Sequence, residues 1–414
     1  MRVWAARSAI ALIAAVTLAA CGTSPEPAPA SSSSAPPAGL VPTPLQVSEE
    51  LAQGPLDEPR QALIPAGWTI EVIARVPKAR MAAFAPDGAL LVSVPDTGQV
   101  LTVRPDQRTL LDGLEQPHGL FFAGTTLYVA ESNRIDAFDY VDGRAVNRRT
   151  IAGDLPDAKS PELRGAYSHA LKSVVVGSDG AVYFSIGSTG NASADDRSAT
   201  PPRATIMRVP PGGGPAAPFA TGVRNGTGLA FAPDGSLWTA VNNRDNVPDP
   251  QGRVRQDYVD DHPPETVAKV TSGRELGWPY CNPDGTPPAG FIRDVETNAD
   301  GSKLDCAALA PVEQTLAAHS APLGMNFAEL SGYGPGALVG VHGSWNRRSP
   351  QAPEVSFFGW HNGTLGPQQT LVSGFQGDDG ARWGRPVAAI TGPDGAVYIT
   401  DDYAGAVYRL TPAA

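Results

Sequence analysis

One pattern of turn and apolar residues recurs six times between residue 80 and the end of the chain. Each copy has a glycine-containing turn, Asp-Gly in four of them, followed by apolar, small and aromatic residues typical of a β-strand. Asp-Gly favours a tight turn because glycine adopts positive φ without steric cost. The runs that follow these turns are 89–93, 126–130, 181–185, 236–239, 337–340 and 396–400.

The spacing of the copies predicts an all-β fold, a six-bladed β-propeller. Neighbouring copies are roughly 40 to 60 residues apart, as four-stranded blades require, except for about a hundred residues between the fourth and fifth. Strand-like segments at 68–73 and 406–410 are expected to share one blade and close the ring. An irregular pair of β-sandwiches stays open as the alternative.

The composition is typical of a folded, turn-rich protein and argues against one class of partner. The 414 residues include 45 Gly and 41 Pro, which excludes long helices, while 42% hydrophobic residues suffice for a core. The net charge is −11, whereas proteins that bind nucleic acid usually carry basic surfaces. No nucleic-acid partner is therefore expected.

The amino terminus is typical of an exported chain. Residues 1–20 contain an apolar run too short to span a bilayer, preceded by arginines, and are interpreted as a signal peptide. Leu18-Ala19-Ala20-Cys21 resembles the lipobox of bacterial lipoproteins, so Cys21 is expected to carry lipid and to anchor the protein to the membrane, outside the cytoplasm. Ordinary cleavage that leaves a free Cys21 is the alternative.

The rest of the chain divides into a tether and a folded body. Residues 21–60 are rich in Pro, Ser and Ala and are expected to be disordered, followed by the propeller at 61–414. An insertion around 246–316 contains Cys281 and Cys306. In an oxidising compartment they are expected to form a disulfide. Zinc ligation is the alternative, although no further ligands stand at a suitable spacing.

Several polar residues precede predicted inner strands and are therefore candidates for a site at the mouth of the channel. His169 is a candidate base at neutral pH, or else a structural histidine. Arg224 and Arg385 stand at similar distances before their turns and suit an anionic or carbonyl-rich ligand, unless they form rim salt bridges. Asn242–Asp245 offer the oxygen ligands that Ca²⁺ accepts.

Together, six segments resemble the quinoprotein sugar dehydrogenases of the soluble glucose dehydrogenase and sorbosone dehydrogenase type. These are six-bladed propellers that use pyrroloquinoline quinone (PQQ) and Ca²⁺. The resemblance covers most of residues 65–411. The segments that carry it are Arg-Asn-Gly-Thr-Gly-Leu-Ala-Phe (224–231), Val-Asn-Asn-Arg-Asp (241–245), Leu-Gly-Trp-Pro-Tyr-Cys (276–281), His-Ser-Ala-Pro-Leu-Gly (319–324), His-Gly-Ser-Trp-Asn-Arg (342–347) and Gly-Arg-Pro-Val (384–387).

The resemblance implies an exported enzyme that oxidises an aldose-type sugar or sugar aldehyde by hydride transfer to PQQ. It implies that His169 is the catalytic base and that Arg224 polarises the quinone carbonyl, with Asn225 holding the cofactor beside it. Asn243 and Arg244 are implied to bind Ca²⁺ through backbone carbonyls. The electrons then pass to an unidentified acceptor.

The resemblance also implies how the quinone carboxylates are bound, and here the chain departs from the family pattern. Arg385 matches one of the family's carboxylate-binding arginines. The position of a second such arginine falls near Val387, so this chain lacks it. A cofactor-binding lysine has no counterpart in 342–347, where Trp345, Asn346 or Arg347 must substitute. His118 is expected to line the mouth. A non-catalytic binding propeller and a Ca²⁺-dependent lactonase-like propeller remain alternatives.

Overall fold

A computed structural model describes residues 39–163 and 165–413, in which six of eight sheets form the blades of a β-propeller. The predicted fold class is therefore confirmed. Two short α-helices lie in loops, α1 (Asp195–Ser198) and α2 (Gln256–Val259). Single 3₁₀ turns occupy Glu49–Leu51, Pro95–Thr97 and Cys306–Ala308.

The strands in the first half of the chain form the entry hairpin and blades 1 to 3. The entry strands are β1 (Leu40–Pro44), β2 (Gln61–Pro65) and β3 (Thr69–Arg75). Blade 1 comprises β4 (Ala82–Phe84), β5 (Leu90–Val94), β6 (Gln99–Arg104) and β7 (Arg108–Leu111). Blade 2 comprises β8 (Leu120–Ala123), β9 (Thr126–Ala130), β10 (Ile135–Val141) and β11 (Arg144–Ala152). Blade 3 begins with β12 (Val174–Val176), β13 (Val182–Ile186), β14 (Thr205–Val209) and β15 (Ala217–Thr221).

The second half forms blades 4 to 6 and a small inserted hairpin. Blade 4 contains β16 (Asn225–Phe231), β17 (Leu237–Asn242) and β18 (Glu265–Val270). The next strands are β19 (Arg274–Glu275), β20 (Cys281–Asp284), β21 (Gly290–Arg293) and β22 (Gln314–Leu316). Blade 5 comprises β23 (Pro322–Leu330), β24 (Gly334–Val341), β25 (Glu354–His361) and β26 (Thr364–Val372). Blade 6 comprises β27 (Pro386–Thr391), β28 (Val397–Asp401) and β29 (Ala406–Thr411).

The Asp-Gly turns join the first and second strands of their blades. In the first of them, Gly88 has φ of 84° and the Asp87 carboxylate accepts a hydrogen bond of 3.1 Å from the amide of Ala89. The turn at Asp394-Gly395 repeats both features, with φ of 75° and a bond of 3.2 Å. A short polar side chain and a glycine are thus enough to form the turn of the hairpin. The repeat can be recognised in the sequence for this reason.

Pairing of the two ends of the propeller closes the ring, as predicted. β3 pairs antiparallel with β29, in a register that places Ile70 opposite Leu410. The outer strand of blade 6 therefore comes from the start of the propeller. Neither end can leave the ring without breaking this ladder.

The described part of the predicted tether, 39–60, is folded, which corrects that expectation from Leu40 onward. β1 pairs antiparallel with β2, and Leu45 and Leu56 are buried in the cluster that contains Trp68 and Phe375. Their apolar side chains stabilise the segment despite its prolines. Cys21 and the predicted signal peptide lie outside the described residues.

The predicted insertion at 246–316 contains three strands of the propeller. β18 and β22 pair with each other and complete blade 4, while β19 adds in parallel to the edge of blade 3. The insertion proper is therefore a loop before β18 and a longer segment between β18 and β22. The sequence prediction missed this because β18 lies outside the six copies of the turn and strand pattern.

The predicted disulfide is present in this longer segment. Cys281 and Cys306 are bonded, with their Cα atoms 5.7 Å apart. β20 and β21 form the hairpin that begins at Cys281. The bond therefore closes a loop that has only a small sheet of its own.

The six first strands surround a largely apolar channel. A cavity of about 250 Å³ on the axis is lined by residues of all six, including Phe121, Val175 and Ile390. Among the described residues, no helix has the length and apolar character needed to cross a membrane.

Removing the disulfide is expected to loosen the insertion more than the propeller. The bond spans a sequence separation of 25, and loop-closure entropy for that length is worth about 3.5 kcal/mol. In a Cys281→Ala/Cys306→Ala variant, trypsin should cleave after the exposed Arg293 and Lys303 faster than in the native protein. Equal cleavage rates in the two proteins would contradict this.

Candidate functional site

The six first strands start at the same end of the channel, which we call the mouth. The residues just before them include Arg80, His118, Lys172, Arg224 and Arg385. The second strands end at this face and add His342 and Asp402. Polar groups distant in sequence therefore converge because every blade repeats the same strand direction.

Buried hydroxyl groups hold these positions by bonding from one blade to the next. Thr400 of blade 6 donates to the carbonyl of Arg80 (2.5 Å), and Ser93 of blade 1 donates to the carbonyl of His118 (2.7 Å). Ser173 of blade 3 donates to the carbonyl of Thr227 in blade 4 (2.5 Å). The backbone at the mouth is therefore fixed by neighbouring blades.

His169 lies in the loop before β12, with its ring orientation fixed by Ser188. Its Nδ1 lies 3.0 Å from the carbonyl oxygen and 2.9 Å from the hydroxyl oxygen of Ser188. That hydroxyl donates to Gly190, so Nδ1 carries the proton and donates to Ser188. Nε2 is then the unprotonated nitrogen, the form a proton-accepting base requires.

The electrostatic surroundings keep His169 neutral. Burial lowers its pKa, and the positive charge of Arg224 lowers it further, to about 3. The effect of the Asp245 carboxylate is opposite but smaller. At neutral pH the imidazole is therefore unprotonated.

Gly187 lets the strand end approach His169 closely. A Cβ atom added to Gly187 would lie 2.6 Å from both the Cβ and the carbonyl oxygen of His169, and 3.2 Å from Oδ1 of Asn225. Only a residue without a side chain fits there. The side chain of Asn225 also lies close to Gly187, so Gly187 lies between Asn225 and His169.

Arg224 is buried in a cradle of oxygen atoms. Its Nη1 donates to the carbonyl of Asn243 at 2.6 Å and to that of Asn242 at 3.3 Å. Its Nη2 donates to the side chains of Asn191 and Asp245, each at 3.1 Å. These contacts join Arg224 to the 242–245 loop and leave its guanidinium rigidly oriented.

A buried acid behind this loop fixes the backbone to which Arg224 is bonded. Glu265 accepts from the amide of Asn243 at 2.5 Å, and burial raises the pKa of Glu265 to about 7. Asp245 lies 3.6 Å from Nδ1 of His319 and 3.1 Å from Arg224. Burial raises the pKa of Asp245, but His319 and Arg224 outweigh this and keep it low.

A second charged cluster occupies the opposite part of the mouth. Arg80 contacts Asp402 at 2.7 Å and Nε2 of His118 at 3.4 Å. Asp402 lies 3.2 Å from Nε2 of His342, whose Nδ1 accepts from Arg385 at 2.8 Å. The cluster thus joins the predicted Arg385 and His118 through groups that the sequence analysis did not select.

Sequence reasoning missed Arg80 and Asp402, although one signal was available. Arg80 stands one residue before the apolar start of blade 1, as Arg385 stands just before blade 6. Arg80 stands seven residues before Asp87, whereas Arg224 and Arg385 stand ten and nine residues before their turns, so only an arginine close to a first strand marks it. Asp402 follows the second strand of blade 6, and only the fold brings it to Arg80.

The remaining predicted residues lie in other surroundings. The side chain of Arg244 pairs with Asp294 and Glu296 on the disulfide-closed insertion, so only its backbone is free to face a ligand. Arg347 donates to the carbonyl of Ala318 at 3.2 Å. Trp345 is 72% exposed, so its side chain does not line a buried cofactor pocket by itself.

No group of three or more His, Cys, Asp or Glu side chains suited to a metal ion occurs in residues 39–163 and 165–413. Any cation at the 242–245 loop would therefore depend on backbone and amide oxygens. That is the kind of ligand set the sequence analysis assigned to Asn243 and Arg244.

Comparisons with known proteins agree with this architecture. A family model described as TrAA12-like matches residues 62–413. The PQQ domain of the Coprinopsis cinerea pyranose dehydrogenase, solved in its holo form, superposes with a TM-score of 0.71 at 19% identity, covering 85% of this chain and 97% of that one. A calcium structure of a Trichoderma reesei carbohydrate-active enzyme of family AA12 gives 0.70 at 20% identity, covering 85% and 97%.

One curated protein also matches, over a shorter stretch. It is an uncharacterized protein of Borreliella burgdorferi, 28% identical over 199 residues, which are 46% of this chain. The match spans 48% of that protein's length.

The pKa of His169 is expected to depend on Arg224 and to lie far below 6.5. In histidine-labelled protein, the NMR signal of His169 should stay that of a neutral ring at pH 5 and titrate only as the pH falls toward 3. Arg224→Met should raise this pKa, because a nearby positive charge is removed. Arg385→Met is the matched control, and an equal rise there would contradict the assignment.

Proposed function

The chain belongs to the TrAA12-like family, and on that premise we propose that it is a PQQ-dependent sugar dehydrogenase that oxidises an aldose-type sugar. The observation that carries the proposal is the neutral, oriented His169 at the same mouth as the buried Arg224 and the half-buried Arg80 and Arg385. A base and fixed positive charges are what hydride removal from a sugar hydroxyl carbon requires. The PQQ and pyranose named for the Coprinopsis cinerea relative support the choice of cofactor and substrate class.

The residues at the mouth fit an anionic quinone with several carboxylates. Arg80 and Arg385 bring two guanidinium groups to one cluster, and Nε of Arg80 is buried without a partner among the described residues. Arg80 thus supplies a cation where the family's lysine and second arginine are missing, and His118 contacts it.

Calcium is proposed at the 242–245 loop, bound through the backbone carbonyls of Asn243 and Arg244. Carbonyl oxygens beside a carboxylate such as Asp245 are ligands of the type Ca²⁺ takes. The carbonyl of Asn243 already accepts from Arg224, but a second lone pair remains available to a metal. The ion would then share its ligand loop with Arg224.

The quinone, when bound, supplies the acceptor for a hydride. His169 then takes the proton of the sugar's anomeric hydroxyl on Nε2 while the hydrogen on that carbon leaves with its electron pair, so the sugar becomes a lactone. Ser188 stabilises the imidazolium that forms, because its carbonyl accepts from Nδ1. Arg224, fixed by four neighbours, stabilises negative charge that develops on the acceptor.

Export and lipid anchoring at Cys21 belong to the same proposal. An enzyme outside the cytoplasm meets free sugars and passes electrons to an acceptor in or near the membrane. The oxidised pair Cys281–Cys306 supports an oxidising compartment. Mass spectrometry of the protein from its own membrane would test for diacylated Cys21.

The test of the function is a titration of residues 39–414 with PQQ and Ca²⁺, followed by a panel of aldoses. Binding should change the quinone absorbance, and a substrate sugar should bleach it. His169→Ala should bind the quinone as before but lower turnover by roughly 10²- to 10⁴-fold, the range for loss of a general base. His361→Ala, exposed at the far end of β25, is the control.

The alternatives give different results in this titration. A binding propeller would show no bleaching with any sugar, and a lactonase-like propeller would hydrolyse lactones with Ca²⁺ alone. If His169→Ala turned over at the native rate, the histidine would not be the base.

Arg80 is expected to contribute to quinone affinity. Arg80→Met should weaken PQQ binding at least tenfold, because one guanidinium facing the carboxylates is lost. Since this variant also removes the cation paired with Asp402, Arg80→Met/Asp402→Asn removes both charges and tests binding without that penalty. Arg108→Met on the outer strand β7 is the control. Native affinity in the double variant would exclude Arg80 from the cofactor site.

A further inference from the structure

Lys172 is a fully buried cation close to the proposed site, with no role in the chemistry described so far. Its side chain is 0% exposed. Nζ donates to the carbonyl of Pro156 at 2.8 Å, to that of Ala170 at 3.0 Å, and to that of Ser132. Burial lowers the pKa of Lys172 to about 7, but only the ammonium form carries three hydrogens for three acceptors.

The three carbonyls belong to different parts of the chain. Ser132 follows β9, and Pro156 follows β11, so both are loops of blade 2. Ala170 is next to His169, in the segment that enters blade 3. The ammonium therefore fastens the segment that carries His169 to two loops of the neighbouring blade.

The backbone of Lys172 supports the second histidine. Its carbonyl oxygen accepts from the amide of Gly119 at 2.9 Å and from Nδ1 of His118 at 3.0 Å. This bond sets the tautomer of His118 and directs its Nε2 toward Arg80. The two histidines of the mouth, 51 positions apart in the sequence, are thus supported by one residue.

Nearby groups explain how the charge is tolerated in the interior. The ring centre of Tyr167 lies 5.4 Å from Nζ, and the buried Asp157 raises the pKa of Lys172. Tyr167 itself donates to the carbonyl of Gly187, which touches His169. Without the ammonium, three carbonyl dipoles would point at one another with nothing between them.

We propose that Lys172 is a positioning residue, whose ammonium acts as a built-in cation that draws three carbonyls together and thereby sets the places of His169 and His118. Its effect on turnover rests on the proposed function; its effect on the two histidines does not.

The first experiment replaces the ammonium by an uncharged chain of similar length. In Lys172→Met, the NMR signals of His169 and His118 should shift, while that of the exposed His361 should not. Turnover of the sugar should fall 10- to 100-fold with KM changed less than threefold, because a displaced base weakens the transition state more than sugar binding. A folded variant with unshifted histidine signals would overturn the proposal.

The second experiment returns the cation without the side chain. Lys172→Ala leaves space for a small ammonium ion, so methylammonium should restore the His169 and His118 signals and raise the melting temperature in a saturable way. Tetramethylammonium, which has no N–H donor, should restore neither. Lys159→Ala, which removes an exposed lysine paired with Glu115, controls for general salt effects.

The two experiments separate failure of this proposal from failure of the proposed function. If the histidine signals respond to Lys172 and methylammonium but no sugar is oxidised, positioning stands and the dehydrogenase assignment fails. If Lys172→Met does not fold, Lys172→Ala in methylammonium decides. Absence of restoration there would refute the role of the cation.

Discussion

The groups at the mouth depend on hydrogen bonds that pass between blades. A propeller blade is joined to the next by one loop, so its rotation about the axis must be set by contacts between sheets. Thr400, Ser93 and Ser173 supply such contacts with buried hydroxyls, and each bonds a backbone carbonyl at or beside a mouth residue. Because these hydroxyls have no water to replace a lost partner, the bonds are costly to break. The geometry of the mouth is thus coupled to closure of the ring.

Closure in turn depends on the entry strand. β3 completes blade 6 by pairing with β29, and the hairpin of β1 and β2 buries apolar residues against the same region. Arg80 lies only a few residues beyond β3, and its carbonyl is bonded to blade 6. One side of the proposed cofactor site is therefore built where the chain both enters and leaves the propeller.

Buried cations and neutral histidines at the mouth have a common electrostatic cause. Removing a guanidinium or ammonium group from water is unfavourable unless oxygen atoms replace the water. Arg224 and Lys172 meet this requirement mainly with backbone carbonyls, which carry no net charge. Burial lowers the pKa of both histidines, and a neighbouring guanidinium lowers it further, Arg224 for His169 and Arg80 for His118, so both stay unprotonated. The same arrangement suits an anionic ligand and a proton-accepting base.

The sequence by itself determined the number of blades, the turns, the closure and the disulfide. Asp87-Gly88 and its counterparts encode their hairpins locally, because a glycine and a neighbouring carboxylate suffice to form the turn. The positions of His169, Arg224 and Arg385 before first strands also followed from the sequence, whereas their roles in the reaction belong to the proposal. The sequence did not predict where the tether ends or which parts of the insertion are strands, since Leu45 and β18 are stabilised by partners distant in the sequence.

Only the tertiary structure decided which groups meet. Arg80 pairs with Asp402, 322 positions away in the sequence. The three carbonyls bound by the Lys172 ammonium come from three separate segments. No local pattern marks such groups, because their pairing follows from blade packing and from the loss of water around them. The local sequence determines which segments form strands and turns, whereas the charge state and partners of a buried side chain depend on the packing of the whole ring.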